Sequence, residues 1–230
     1  MRALRQLLVI GLFFAAGSAR ADPAACVARY FGVDPARFAA PASSSSGPNA
    51  RSFAERLEHP TLADMFSIRY PTGPIAPVTE VDHDPGRIRL TPLFAAAYPA
   101  GKLVSARFFG HRVRVQPKVA AALARVEERL SSVAAARPFV AKLGGAYNDR
   151  AIAGTDRKSA HAWGIAIDLD PDLSYYWRWE RHGWKNRLPQ SVVDAFEAEG
   201  FIWGGRWYHF DTMHFEYRPE LLDPSCYPAT

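Results

Sequence analysis

The feature that most constrains this chain is a carboxylate set in the middle of an aliphatic strand. In Ile165-Ala166-Ile167-Asp168-Leu169 the alternation places three aliphatic side chains on one face and Ala166 with Asp168 on the other. Met213-His214-Phe215-Glu216-Tyr217 repeats the pattern, with His214 and Glu216 on the polar side. Each predicted strand therefore has an apolar back to bury and a polar front to satisfy. An unpaired aspartate in such a setting is costly, so Asp168 requires a charged partner or a metal ion.

The neighbouring segments supply the helices that such backs need. Arg112-Val113-Arg114-Val115 alternates as a half-buried strand, and Gly110 is placed to turn the chain back from residues 104–109. From Pro117 onward, Val119, Leu123, Val126, Leu130 and Val133 fall on one helical stripe, with Arg125, Glu128 and Arg129 facing outward. Pro138 is expected to stop that helix. A second helix is predicted over 190–199, with Val192, Val193 and Phe196 inward and Gly200 as its cap. Residues 22–60 read as loosely organised, with a Ser-rich loop at 43–49. Residues 60–100 read as proline-rich extended chain holding one short helix near Leu93 to Tyr98. The expected fold is α+β: a small, mainly antiparallel sheet with flanking helices, a metal site on the sheet face and an extended N-terminal arm. The expected organisation is a leader at 1–21, an N-terminal extension at 22–84 and the main domain at 85–230.

Arg2 and Arg5 precede a short apolar run from Leu7 to Ala16, and Ala19-Arg20-Ala21 follows it as a small-x-small site. This is the pattern of a cleavable signal peptide, and it implies a secreted or periplasmic protein with no transmembrane segment after cleavage. Cleavage lowers the net charge from +5 to +2, because the three arginines of residues 1–21 have no acidic counterpart. So mild a charge, with no basic block, argues against nucleic acid as a partner. In an exported protein the two cysteines, Cys26 and Cys226, suggest a disulfide joining the chain ends. Loop-entropy models assign so long a closure about 4–5 kcal/mol. A monomer is expected.

The chemistry lies on the polar fronts. His161 stands seven residues before Asp168, with Gly164 between them as a turn that brings the imidazole back toward the carboxylate; His214 adds a third donor from the other strand. Two histidines and a carboxylate with an open fourth position form a catalytic zinc set, and no thiolate is present to favour another metal. His209 competes with His214 for this role, whereas His59, His83, His111 and His182 read as surface residues. Glu216 reads equally as an orienting partner of an imidazole or as a strand-edge carboxylate. Trp163, Trp203, Trp207 and Tyr208 are candidates for either the core or a cleft wall. A serine hydrolase built on Ser159, His161 and Asp168 is a poorer reading, since no nucleophile elbow accompanies the serine.

Ser159 to Asp168 reads S-x-H-x-x-G-x-A-x-D, and Asp211 to Glu216 reads D-x-x-H-F-E. With Gly145 to Arg150 upstream and Gly200 to Gly205 before the second motif, the chain resembles the VanY/endolysin-type zinc D-alanyl-D-alanine carboxypeptidase family over roughly residues 85–220. The resemblance implies zinc held by His161, Asp168 and His214, with Asp211 as catalytic base. It also implies Arg150 in contact with the substrate or its oxyanion and Ser159 near the substrate. Many relatives carry Glu as the base; the shorter Asp resembles the endolysin-like branch and slightly favours endopeptidase chemistry, while both D,D-carboxypeptidase and endopeptidase action on peptidoglycan stem peptides stay open. The rival reading is a catalytically silent, zinc-containing peptidoglycan-binding module, as in hedgehog-type relatives. The presence of Asp211 argues against it.

Overall fold

The computed structural model describes residues 22–38 and 51–227. The expected leader and the Ser-rich loop lie outside them. The fold is α+β, with a two-stranded and a three-stranded antiparallel sheet.

Residues 22–38 are not loosely organised. Helix α1 (Pro23–Phe31) starts at Asp22, whose carboxylate accepts the Ala24 and Ala25 N–H groups, has proline in its first turn, and ends at Gly32 with φ 69°. Its apolar face buries Cys26, Val27 and Phe31. Two short helices follow, α2 (Phe53–Glu58) and α3 (Leu62–Met65), each opened by a capping box. Residues 66–90 contain neither helix nor strand, as the proline content predicts. Helix α4 (Thr91–Ala97) occupies the place expected for the one short helix of this stretch.

Strands β1 (Val104–Phe108) and β2 (His111–Val115) form the expected hairpin. Phe109 and Gly110, both at positive φ (46° and 81°), make its two-residue turn, the combination that matches strand twist. Helix α5 (Pro117–Leu130) buries Val119, Leu123, Val126 and Leu130 as the stripe requires. Pro138 does not end it. The chain leaves the helix at Ser131, and Pro138 sits in the first turn of a further short helix, α6 (Arg137–Val140), where a missing N–H costs nothing. Helix α7 (Gln190–Ala198) turns Val192, Val193 and Phe196 inward.

The second sheet consists of β3 (Ala166–Asp168), β4 (Phe201–Trp203) and β5 (His214–Tyr217), in the order β3-β5-β4. Phe215, on the back of β5, stacks on Phe196 of α7 with ring centroids 3.9 Å apart. The front is set by register: Asp168 pairs with His214 and Ala166 with Glu216. Directly opposed residues of an antiparallel pair share a face, so this register alone lays Asp168 beside His214.

Cys26, Val27, Phe31, Met65, Phe66 and Tyr70 join the same apolar core as Phe196 and Phe215. Cys26 and Cys226 are bonded, across a separation of 200 residues. Among the described residues no helix is long and apolar enough to cross a membrane.

Candidate metal centre

His161 lies in a tight 3-10 turn, Ala160–Trp163, which Ser159 caps by accepting the His161 N–H. Gly164 ends the turn at φ 67°, and a Cβ there would sit 2.3 Å from Leu103 Cδ2, so both backbone sign and space require glycine. The turn folds the imidazole back over β3, as the spacing predicts. On the other side of β3, Gly144 N–H donates to the Asp168 carbonyl at 2.9 Å, and Asp168 N–H donates to Gly145 O at 2.8 Å. This approach needs a residue without a side chain, since a Cβ on Gly144 would meet Asp168 Cβ at 2.9 Å.

Three side chains converge. His161 Nε2 lies 3.2 Å from His214 Nδ1 and 3.2 Å from Asp168 Oδ2, and His214 Nδ1 lies 2.9 Å from Asp168 Oδ1. Around a zinc ion with bonds of about 2.0–2.1 Å, tetrahedral ligands stand at separations of this order. The opposite ring nitrogens are committed elsewhere. His161 Nδ1 is 2.5 Å from Ala146 O, and His214 Nε2 faces Glu216 Oε2 at 3.6 Å. If those nitrogens carry the hydrogens, the converging ones are left with lone pairs, as metal ligation requires. Glu216 is thus placed as an imbedded orienting partner. It is also fully buried and bound by Arg89 (2.5 Å) and Arg218 (2.9 Å), so it is not a strand-edge carboxylate.

The electrostatics favour positive charge at this point. Burial by itself raises the Asp168 carboxyl, yet His161 and His214 hold it well below the usual carboxylate range. Burial opposes charge on His214, but the hydrogen bond to Asp168 and the nearby Glu216 carboxylate push the ring up to about 10. Asp211 is pushed up to about 7, first by burial and then by the Asp168 charge. Its Oδ1 is buried with no hydrogen-bond partner among the described residues. A buried cluster with two carboxylates and an orphaned oxygen suits a divalent cation.

The cluster opens into a cleft of about 490 Å³ whose lining includes Asp211, Arg150 and Ser159. Arg150 is exposed, and its one side-chain hydrogen bond among the described residues is to the adjacent Ala151 carbonyl. Ser159 is buried; its Oγ caps the 3-10 turn at 3.4 Å from His161 N, and the His161 ring bonds elsewhere. No serine–histidine side-chain pair is formed, which removes the serine-hydrolase geometry.

His209 does not join the cluster. It pairs with Asp84 and lines the cleft. Of the aromatic candidates, Trp207 lines the cleft, while Trp163 packs on Phe94 and Trp203 is fully buried. Met213 also lines the cleft instead of following the apolar back, because it precedes the first paired residue of β5. Tyr176, Trp177 and Trp179 complete the wall. Sequence reasoning passed over them. Their placement depends on ladder-like bonds between residues 175–177 and 210–212, such as Trp177 N–H to Phe210 O at 2.9 Å. The aromatic density of 175–179 was the available signal.

The α+β fold and this cluster define a class of protein in which two histidines and an aspartate on a sheet face are able to hold a metal beside an open cleft. Residues 153–217 match the family model described as D-alanyl-D-alanine carboxypeptidase, in agreement with the VanY-type resemblance of the motifs, and the match points to a peptidase. The matched segment contains Ser159, His161, Asp168, Asp211 and His214; Arg150 lies just before it. No curated protein and no solved structure matches the chain.

Proposed function

We propose that this chain is a zinc-dependent peptidase acting on peptidoglycan stem peptides, with His161, Asp168 and His214 as the zinc ligands. The carrying observation is the convergence of two imidazole nitrogens and the two Asp168 carboxylate oxygens, at separations of 2.9–3.2 Å, in a cleft that also holds Asp211, whose Oδ1 is buried without a hydrogen-bond partner among the described residues. A zinc ion held there supplies Lewis acidity toward a peptide carbonyl and toward water. Ala146 O and Glu216 keep the two imidazoles oriented as donors. Asp211 takes up a proton at Oδ1 as water attacks the peptide carbon, and returns it to the nitrogen of the leaving amine. Arg150, which forms no ion pair among the described residues, donates from its guanidinium to the substrate or to the developing oxyanion. Ser159, on the cleft wall, contacts the substrate near the scissile bond. An exported location, with residues 1–21 as a cleaved leader, belongs to the same proposal.

The test pairs metal analysis of the purified protein with mass spectrometry of digested peptidoglycan. One zinc per chain and release of a terminal D-Ala, or of cross-linked stem fragments, is the expected result. Zinc without any cleavage would favour the binding-module reading, and absence of both would end the proposal.

A further inference from the structure

The cleft holds a second aspartate–histidine pair that the proposed chemistry leaves unused. Asp84 is fully buried; its Oδ1 accepts the His209 backbone N–H at 2.9 Å, and its Oδ2 lies 2.6 Å from His209 Nδ1. Arg87 Nη1 donates to the same Oδ2 at 3.0 Å. Asp82 lies near enough that Asp82, Asp84 and His209 form a group of possible ligand atoms within 4.8 Å of one another. The guanidinium on Asp84 already balances its charge, however, and stands where it would repel a second cation. This group is better suited to holding a ring than to holding a metal.

Two contacts from one carboxylate fix both the backbone and the Nδ1 edge of His209. The ring also packs edge-on against Trp177, with centroids 4.6 Å apart. When the ring carries one hydrogen and it is on Nδ1, facing Asp84, the lone pair lies on Nε2. Nε2 is the ring's remaining polar atom, and the side chain is 22% exposed in a residue that lines the cleft. Among the charged groups of that lining, Arg87, Arg89, Arg150 and Arg178 can only donate hydrogen bonds, and Asp168 and Asp211 belong to the proposed chemistry. An extended peptide lying there brings N–H groups that need an acceptor.

We propose that His209 is a substrate-binding residue whose Nε2 accepts a hydrogen bond from a peptide N–H. Asp84 is then a positioning residue that acts through the imidazole by setting its tautomer. The inference rests on the peptidase reading and adds to it a substrate contact made by His209, held in place by Asp84, a residue from outside the matched family segment.

The experiment uses the zinc-loaded protein and a synthetic peptide ending in D-Ala-D-Ala. His209→Phe keeps the ring against Trp177 but removes the acceptor, and it is expected to raise KM about five- to tenfold with kcat within about twofold, the scale of one lost hydrogen bond. Asp84→Asn offers an amide N–H to Nδ1, which moves the ring hydrogen to Nε2; a similar rise in KM is expected, with the changed tautomer visible by 15N NMR of the imidazole. His209→Gln, which can present an oxygen near the Nε2 position, should recover most of the affinity. Titrating the same peptide into Asp211→Asn, with and without His209→Phe, reads binding without turnover, and a five- to tenfold weakening is expected. Unchanged KM and unchanged binding in His209→Phe, or a wild-type ring protonated at Nε2 alone, would overturn the inference while leaving the peptidase reading intact. A wild type that neither cleaves nor binds the peptide would overturn both.

Discussion

Two aspartate–histidine groups face the same cleft, and they differ in one respect that decides their chemistry. Around Asp84 a guanidinium completes the charge balance: Arg87 lies 3.0 Å from the oxygen that faces His209 Nδ1. Among the described residues no arginine or lysine pairs with Asp168, and its partners are two imidazoles whose far nitrogens face Ala146 O and Glu216. The first group is satisfied as it stands. The second gathers lone pairs and negative charge at one point and is completed by a cation. Residue types alone do not separate the groups; the third partner does.

Several measurements can break or sharpen this contrast. The largest effect is expected for His161→Ala, which leaves two of three ligands: bound zinc and peptide hydrolysis should both fall to background, and retention of stoichiometric metal would remove the cluster from consideration. Next comes Asp211→Asn. It should retain zinc, by elemental analysis, while kcat falls by about 10²–10⁴, the usual contribution of a positioned acid–base group. A smaller change is expected for Glu216→Gln. Loss of an orienting partner costs about 10–100-fold in metal affinity, measurable by competition with a chelator. The same substitution leaves Arg89 and Arg218 short of a buried partner, so the melting temperature should fall as well. The smallest effect is on stoichiometry. Asp84→Asn should leave the count at one zinc per chain, whereas a protein that binds two and loses one on this substitution would show that the Asp84 group is also a metal site.

The fold was legible where side-chain spacing carries the information. The stripe of Val119, Leu123, Val126 and Leu130 announced α5, and Gly164 announced the turn that returns His161 to Asp168. Pro138 was misread because proline marks the start of a helix as readily as its end; the capping at Ser131 had already stopped α5. Residues 22–38 looked unorganised because a nine-residue helix with three buried side chains leaves little periodic signal. Their order comes from packing into the shared core and from the bond between Cys26 and Cys226. The cleft wall at Tyr176 to Trp179 showed in the sequence only as a density of aromatic residues, since its ladder-like pairing with residues 210–212 leaves no local pattern of placement.

By itself the sequence determined which residues have an apolar back and a polar front, where the chain must turn, and that His161, Asp168 and His214 carry the right donors. These follow from periodicity, glycine placement and functional-group chemistry, all of which are local. Tertiary structure alone decided that Asp168 stands opposite His214, that Arg89 reaches Glu216 across 127 residues, and that Asp84 claims His209 across 125. Strand register and long-range ion pairs are set by which surfaces pack together, and no spacing along the chain encodes that choice.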